Sequence, residues 1–374
     1  MYRSLARRGP PGQRARRHPG HLPRRGAGDH RGRFHGARRF PPAARRGPLR
    51  RPTGPRSLVI AAFRAVRGER AAGLRGARPG LRRGPGRAGG ATRRLIEARG
   101  DVDGISVACL GPSGTFSEEA ASRHFGEAAS PLFCTSIDDI FDVVEARVAT
   151  FGVVPVENSL EGAIGHTLDR LVASPSRISG EVALPIRQNL LRRASTFEGI
   201  TRVYGHAQSL AQCQRFLKET LPLAERVAVS SNAEAARLAA REPWAAALAG
   251  QRAAAIHALE LLAEGVEDDP TNTTRFLVIG DTSPAPSGRD KTSLVMSAPN
   301  RPGSMVALLR PFSRHGVSMT KLESRPSRRG LWDYLFFVDV EGHAEDAAVR
   351  RALLDLDKRA GFLKLLGSYP MARP

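Results

Sequence analysis

The chain has 374 residues and a formal net charge of +22, which on its own would suggest a nucleic-acid-binding protein. That charge belongs to one segment, because residues 1–100 hold 28 Arg, no Lys and only three acidic residues. The remaining chain holds slightly more acidic than basic residues, so its charge gives no reason to expect binding to nucleic acid or to a membrane.

Residues 1–100 also hold 18 Gly and 11 Pro, and this composition predicts a disordered segment. Three origins fit it: a basic arm that binds nucleic acid, a targeting peptide, or a start or reading frame mis-assigned in GC-rich DNA. The absence of Lys favours the mis-assigned frame, because Arg, Gly, Pro and Ala have GC-rich codons and Lys does not. The apolar run at 58–63 is too short for a spanning or secretory segment.

The three cysteines, Cys109, Cys134 and Cys213, are scattered and show no metal-ligand spacing. This usage is typical of a reduced, cytoplasmic protein without structural disulfides.

From Ile105 the chain alternates short apolar strands with amphipathic helices. We predict a strand at 105–110, a glycine turn at 111–115 and a helix at 117–125 with Ser117 as its cap. Helices at 136–148 and 162–173 and strands at 151–156 and 182–186 follow. A second block then has strands at 203–206, 226–229 and 275–280 and helices at 210–219, 233–241 and 253–264. This pattern predicts two α/β lobes around a cleft, as in periplasmic binding proteins, over residues 105–281.

Residues 282–290 are rich in Pro, Ser and Gly, and this composition predicts a linker. The final unit, 291–370, has the order strand 291–298, helix 303–315, strands 319–325 and 331–341, helix 344–359 and strand 361–367. The order βαββαβ predicts a ferredoxin-like domain.

Three turns that lead from a predicted strand into a helix carry polar residues: GPSGTFS at 111–117, PVENSLEG at 155–162 and GHAQSLAQC at 205–213. Ligands of α/β proteins bind where strands end and helices begin. A fourth segment, NTTRF at 272–276, places the Thr274 hydroxyl and the Arg275 guanidinium at the mouth of a strand. Such a pair can donate a proton and bind an anion.

Each of these turns also has a structural interpretation. The glycine turn either binds an anion or is a simple tight turn. Asn158 either contacts a ligand or caps a helix, and Glu157 either contacts a ligand, is solvated, or pairs with Arg275. A single His at a strand end, His206, is more often structural than catalytic, so we assign it no acid role.

Taken in order, the four segments resemble the prephenate dehydratase family: GPSGTFS, PVENSLEG with HTLDRL, GHAQSLAQC and NTTRF. The unit after the linker resembles an ACT regulatory domain. The resemblance covers residues 106–369 and implies decarboxylating dehydration of prephenate to phenylpyruvate for phenylalanine synthesis. It implies Thr274 as the catalytic residue. The substrate-binding residues that we predict are Ser113, Thr115, Glu157, Asn158, Gln212, Arg275 and Phe276.

The chemistry implied by this resemblance makes an aromatic ring, so the substrate supplies the driving force and the enzyme has to hold and orient it. No metal, redox cofactor or covalent nucleophile is required, and we expect none. The ACT domain implies phenylalanine as effector and a homodimer or homotetramer. The predicted effector residues are Asn300, Gly303, Ser304, Met305 and Val306, together with Glu323, Ser324, Arg325 and Pro326.

The chain departs from the family pattern at three places. Gly205 and Ala207 stand where Ser and Pro are common, Ser304 and Met305 where Ala and Leu are usual, and Asn232 where a Thr helix cap is common.

Several alternatives remain open at this point. The substrate could be arogenate, the lobes could form a non-catalytic amino-acid sensor, and the ACT unit could be a dimerisation module without a ligand. A chorismate mutase segment could have lost its reading frame within residues 1–100. We expect a cytoplasmic protein without a membrane or nucleic-acid partner.

Overall fold

The computed structural model describes residues 104–126, 129–327 and 333–372. The segment 1–100, for which we predict disorder, lies outside the described residues. The strands are β1 Ser106–Leu110, β2 Ser130–Cys134, β3 Phe151–Asn158, β4 Gly162–Ala163, β5 Arg177–Pro185, β6 Asn189–Arg192, β7 Arg202–His206, β8 Glu225–Val229, β9 Ala245–Ala249, β10 Glu260–Ala263, β11 Thr273–Gly280, β12 Asp290–Ser297, β13 Met319–Pro326, β14 Tyr334–Glu341 and β15 Phe362–Pro370.

Nine helices are present in this part of the chain. They are α1 Phe116–Phe125, α2 Ile137–Glu145, α3 Gly165–Ala173, α4 Ala207–Gln212, α5 Gln214–Thr220, α6 Asn232–Ala239, α7 Gln251–His257, α8 Ser304–Arg314 and α9 Ala347–Asp357.

The strands form three sheets, one in each lobe and one in the C-terminal domain. The first sheet has the order β2-β1-β3-β11-β5 with β4 beside β3, and the second has the order β10-β6-β9-β7-β8. The chain leaves the first sheet after β5 and returns to it only at β11, which runs antiparallel to both β3 and β5. The start of β11 therefore lies beside the carboxyl end of β3, where ligands of such sheets bind.

The C-terminal sheet has the order β13-β14-β12-β15, which is the predicted ferredoxin-like arrangement. Different parts of the molecule cover its two faces. Successive residues of a strand point to opposite faces, so neighbours along β12 pack against different partners. Leu294 and Met296 of β12 pack with α8 and α9, whereas Val295 packs in a core shared with the first lobe. That shared core joins the following side chains of the C-terminal sheet to α2, α3, β3 and β11: Val295, Phe337, Leu366 and Tyr369.

Two helix caps can be compared with their predictions. Ser136 caps α2 by accepting a hydrogen bond from the Asp139 amide, at the start of the helix predicted from residue 136. The cap of α1 is Thr115 rather than Ser117, because the Thr115 hydroxyl accepts from the Glu118 amide and the helix begins at Phe116, one residue earlier than predicted.

The predicted helix at 253–264 is wrong in its second half. Helix α7 ends at His257, Ala258 adopts a left-handed conformation with φ of 51°, and β10 then pairs antiparallel with β6. An alanine-rich run fits a helix by propensity, but pairing with β6 satisfies the backbone of 260–263 and overrides that preference.

The three cysteines are free and buried, and burial raises the pKa of each thiol to about 12. None of the described helices combines the length and the apolar character needed to span a bilayer.

The left-handed backbone at Ala258 generates a stability prediction. Glycine has no Cβ to strain at this φ, so Ala258→Gly is expected to raise the free energy of unfolding by about 0.5–1 kcal/mol. Ala255 is exposed within α7, so Ala255→Gly is expected to lower it by about 1 kcal/mol. Urea denaturation of both variants measures the two changes, and a loss of stability in Ala258→Gly would contradict the assigned backbone conformation.

Candidate active site

A cavity of about 320 Å³ lies between the first two sheets. Two connecting segments cross between the lobes beside it, and they are held together by hydrogen bonds from the Ile186 amide to the Asn272 carbonyl and from the Val266 amide to the Gln188 carbonyl. The lining consists of hydroxyl, amide and apolar groups with one imidazole: Leu110, Gly111, Thr115, Phe116, Ser117, Thr135, Asn158, Ile186, Gln188, His206, Gln208, Ser209, Gln212, Ser230, Ser231, Asn232, Asn272, Thr274 and Phe276.

Four polar residues form a chain of hydrogen bonds along one side of this cavity. Asn158 Nδ2 donates to Thr274 Oγ1 at 3.0 Å and to Asn272 Oδ1 at 2.7 Å. Asn272 Nδ2 donates in turn to Gln212 Oε1 at 3.0 Å. The structure thus brings together Thr274, Asn158 and Gln212, three of the residues predicted from the sequence to form the active site.

The orientation of the Asn158 amide is fixed by its other contacts. Its Oδ1 accepts from the backbone N–H groups of Leu160 and Glu161 at 3.1 and 3.2 Å, so its NH₂ group must face Thr274. The Thr274 oxygen is therefore a hydrogen-bond acceptor from Asn158, and its own O–H can be directed into the cavity. This arrangement makes Thr274 a hydrogen-bond donor toward a bound molecule.

A second polar group lies on the other lobe. Asn232 Nδ2 donates to Ser209 Oγ at 2.8 Å and to Gln188 Oε1 at 3.3 Å, and its Oδ1 accepts from the His206 amide at 2.9 Å. Asn232 is therefore no helix cap, although it stands where a Thr cap is common in the family. Ser231 caps α6 instead, by accepting from the Glu234 amide at 3.1 Å.

His206 lines the cavity as the cap of α4, as its structural interpretation predicts. Its Nδ1 accepts from the Gln208 amide at 3.4 Å. That contact orients the ring and leaves the imidazole without a hydrogen-bonded hydroxyl among the described residues.

The glycine turn is occupied by a carboxylate of the protein itself. Glu118 Oε2 accepts from the Gly114 amide at 2.6 Å and from Ser113 Oγ at 3.0 Å, while Glu118 Oε1 accepts from Arg252 Nη2 at 3.0 Å. Burial would raise the pKa of Glu118, but the hydrogen bonds from Arg252, Gly114 and Ser113 outweigh it and hold the pKa below its ordinary value.

Two residues of this turn were predicted to bind substrate. Ser113 does not line the cavity, because its hydroxyl is used within the turn. Thr115 does line the cavity, but its hydroxyl donates to the Leu110 carbonyl at 2.7 Å and caps α1.

Arg275 and Glu157 lie on the face of the sheet opposite to the cavity. Thr274 and Phe276 line the cavity, and the residue between them points the other way. The Arg275 guanidinium contacts Glu181 and Asp339 at 2.7 and 2.6 Å, and Glu157 contacts Lys321 at 2.7 Å. The structure therefore corrects the expectation that these two charged residues reach the substrate.

The residues predicted to bind phenylalanine lie on two elements of the C-terminal domain. Asn300, Gly303, Ser304, Met305 and Val306 precede and begin α8, where Gly303 has a left-handed φ of 81°. Glu323, Ser324, Arg325 and Pro326 form the second half of β13. Arg325 is engaged with the first lobe, since its Nε lies 3.2 Å from Asp169 Oδ1.

Comparison with known proteins identifies this arrangement. A family model described as prephenate dehydratase matches residues 107–284, and an ACT domain model matches residues 292–358. A bifunctional chorismate mutase/prephenate dehydratase of Neisseria gonorrhoeae is 54% identical over 271 residues, which cover 72% of this chain and 75% of that protein. A prephenate dehydratase of Mycobacterium marinum is 37% identical over 277 residues, which cover 71% of this chain and 88% of that protein.

The chain belongs to the prephenate dehydratase family. A crystal structure of prephenate dehydratase from Arthrobacter aurescens in complex with L-Phe superimposes with a TM-score of 0.65 at 34% identity, covering 72% of this chain and 90% of that one. The family, the two-lobed α/β fold and the C-terminal ACT domain predicted from the sequence are thereby confirmed.

Sequence reasoning missed several residues that line the site of this dehydratase. Gln188 lies on one crossing segment, where no pattern marks it. Asn272 lies on the other and begins the NTTRF segment, but the sequence pattern assigns it no role. Ser209 follows Gln208 within a motif that the sequence did single out, and the spacing of Gln208 and Gln212 along α4 could have indicated a polar helix face toward the cleft.

The buried Glu118 carboxylate predicts a pH-dependent contribution to stability. Its folded pKa is depressed, so its stabilising effect is full above the unfolded pKa near 4.5 and is lost as the pH falls through the folded pKa. Glu118→Gln is expected to lower the free energy of unfolding by about 1.5–3 kcal/mol at pH 7 and by less below pH 4.5, as measured with urea.

Its neighbour Glu119 provides the matched control. Burial raises the pKa of Glu119, so ionisation at pH 7 opposes folding there and Glu119→Gln should leave stability unchanged or raise it. Equal destabilisation by the two substitutions would contradict the special role of the Glu118 contacts.

Proposed function

We propose that this chain catalyses the decarboxylating dehydration of prephenate to phenylpyruvate, with phenylalanine as a regulatory ligand of the ACT domain. The observation that carries the proposal is the Thr274 hydroxyl, held by Asn158 at the cavity wall and able to donate into it. The similar proteins that are named as prephenate dehydratases support the same reaction.

The cavity suits a small dianion in size and in polarity. Its volume of about 320 Å³ is within the range of small-molecule sites. Helices α1 and α6 begin at its wall from opposite lobes. In each, the third residue donates its N–H to the cap hydroxyl, and the N–H groups of the first two residues have no acceptor within the helix. Prephenate carries two carboxylates, and we assign them to these two helix starts, where the amide dipoles favour negative charge.

The reaction can be written through the residues of the cavity wall. The bond between the ring and its carboxylate breaks and releases CO₂, and that electron pair enters the ring as the hydroxyl opposite departs. Thr274 shares its proton with the departing oxygen, and the hydrogen bond from Asn158 stabilises the negative charge that builds on the Thr274 oxygen. Water forms as the second product, with the net proton supplied by solvent.

Phenylalanine is proposed as the effector on two grounds. The chain carries an ACT domain, and the related Arthrobacter aurescens enzyme was crystallised with L-Phe. Regulation then requires that the effector bind two conformations of this chain with different affinity.

The homodimer or homotetramer remains a prediction. Support comes from β13, which is an edge strand of the ACT sheet and exposes Met319 and Leu322. Unpaired strand edges with apolar side chains favour pairing with a second copy. Light scattering of the purified chain tests it, and a monomeric mass at micromolar concentration would contradict it.

Turnover of prephenate by the purified full chain tests the proposed function. Phenylpyruvate is followed by its absorbance in base, with arogenate in a parallel reaction and phenylalanine in a third. Faster conversion of prephenate than of arogenate, altered by phenylalanine, is the expected result. Binding of prephenate without any product would instead identify a sensor, and preferential conversion of arogenate would reassign the substrate.

Thr274→Val tests the assignment of the catalytic hydroxyl. The substitution keeps the side-chain shape and removes the donor, so we expect kcat to fall by about 10²–10⁴-fold with a smaller change in KM. Thr274→Ser retains a hydroxyl and serves as the control, with a much smaller loss. Turnover by Thr274→Val near that of the unmodified chain would exclude Thr274 from the chemistry.

A further inference from the structure

Two residues of the active site are each joined by one peptide bond to a charged residue on the opposite face of the sheet. Glu157 precedes Asn158, and Arg275 follows Thr274. Strands β3 and β11 pair so that Asn158 lies opposite Thr274 and Glu157 lies opposite Arg275. The hydrogen-bonded pair in the cavity and the charged pair behind it are therefore positioned by the same two stretches of backbone.

Both charged residues are held by the ACT domain. Lys321 Nζ lies 2.7 Å from Glu157 Oε2. Arg275 Nη1 lies 2.6 Å from Asp339 Oδ2, and Arg275 Nη2 donates to the Tyr369 hydroxyl at 2.9 Å. The regulatory domain thus contacts the backbone neighbours of Asn158 and Thr274 directly.

The contacts of Arg275 are buried and mutually compensated. Glu181 accepts from Arg275 at 2.7 Å and from Lys291 at 2.8 Å. Burial would raise the pKa of Glu181, but Arg275 and Lys291 hold it below its ordinary value, so the carboxylate stays ionised. Removing one partner of such a group leaves an uncompensated buried charge, which makes the Arg275 cluster a rigid anchor of the two domains.

The Lys321 contact differs from this anchor in the exposure of its carboxylate. Glu157 is more than a third exposed at its side chain, so water can take over its solvation when Lys321 moves. A cavity of about 20 Å³, large enough for one water molecule, also adjoins Lys321, Arg275 and Asp339. Glu157 also lies 3.7 Å from Arg275, so it keeps a cationic partner when the contact with Lys321 opens. Lys321 is only 12% exposed at its side chain, so it reaches water only when β13 moves with it.

Strand β13 also carries the residues predicted to bind phenylalanine. Lys321, Glu323 and Arg325 alternate with the more exposed Leu322 and Ser324, and therefore share the face toward the first lobe. Arg325 contacts Asp169 of α3 on that face. A ligand bound at the second half of β13 acts on a strand that touches the catalytic lobe at two points.

We propose that Lys321 is a positioning residue that couples the ACT domain to catalysis, by holding Glu157 and thereby the Asn158 amide against Thr274. Displacement of β13 by an effector breaks the contact between Lys321 and Glu157, shifts the end of β3, and weakens the hydrogen bond that orients the Thr274 hydroxyl. The inference rests on the proposed dehydratase function and specifies the route of its regulation.

Lys321→Met in the full chain tests this proposal. The expected result is a fall in kcat of about tenfold with KM for prephenate changed less than twofold, because the residue orients the catalytic pair without touching substrate. The ratio of kcat with and without phenylalanine should move toward one. Lys321→Arg should restore most of the lost kcat, and Lys358→Met, an exposed Lys at the end of α9, should match the unmodified chain.

A double-mutant cycle separates positioning from a general loss of structure. In an Asn158→Ala background the hydrogen bond from Asn158 to Thr274 is already absent, so Lys321→Met should lower kcat by less than a further twofold. The proposal would be overturned if the losses of kcat in the two single variants multiply in the double variant. It would also be overturned if the kcat of Lys321→Met stays within twofold of the unmodified chain, or if its loss is explained by unfolding at the assay temperature. Failure of the proposed function is distinct, since the unmodified chain would then release no phenylpyruvate.

Discussion

Both the cavity and the contact with the ACT domain depend on one constraint, which is the alternation of side chains along β11. Thr274 and Phe276 face the cavity, whereas Arg275 and Leu277 face the core shared with the ACT domain. A strand cannot move one face without the other, because both sets of side chains leave the same backbone. The hydroxyl that we propose as catalytic and the anchor of the ACT domain thus belong to adjacent residues.

The active site combines a rigid hydrogen-bond network with a cavity wall of hydroxyl, amide and apolar side chains and one imidazole. Asn158 is fixed by the backbone amides of Leu160 and Glu161, so its orientation toward Thr274 does not depend on a bound ligand. Electrostatic preorganisation of this kind is effective because the donors need no reorganisation during the reaction. The neighbouring Glu118 carboxylate accepts a hydrogen bond from the glycine turn and pairs with Arg252.

The sequence predicted the family, the three sheets in outline, and the positions of Thr274, Asn158, Gln212 and Phe276 at the cavity. Those residues lie in the motifs at strand ends and helix starts that carry the family resemblance, and the resemblance together with that placement assigned them to the site. The face on which Arg275 lies could not be predicted, because β11 from Phe276 to Gly280 is buried on both sides and reads as a continuous apolar run.

Other differences between sequence and structure have the same physical origin in tertiary contacts. Gln188 and Asn272 both line the cavity because the two crossing segments pair beside it, and nothing local in either segment signals that pairing. The helix predicted through 264 fails at Ala258, where pairing of β10 with β6 outweighs the helical preference of the preceding alanines.

Hydrogen exchange of the full chain with and without phenylalanine tests most directly whether β11 and β13 act as one unit. The account predicts that phenylalanine changes amide exchange both in Met319–Pro326 and in the first residues of Thr273–Gly280. Changes confined to the ACT domain, with the exchange of β11 unaltered in the presence of bound phenylalanine, would contradict it.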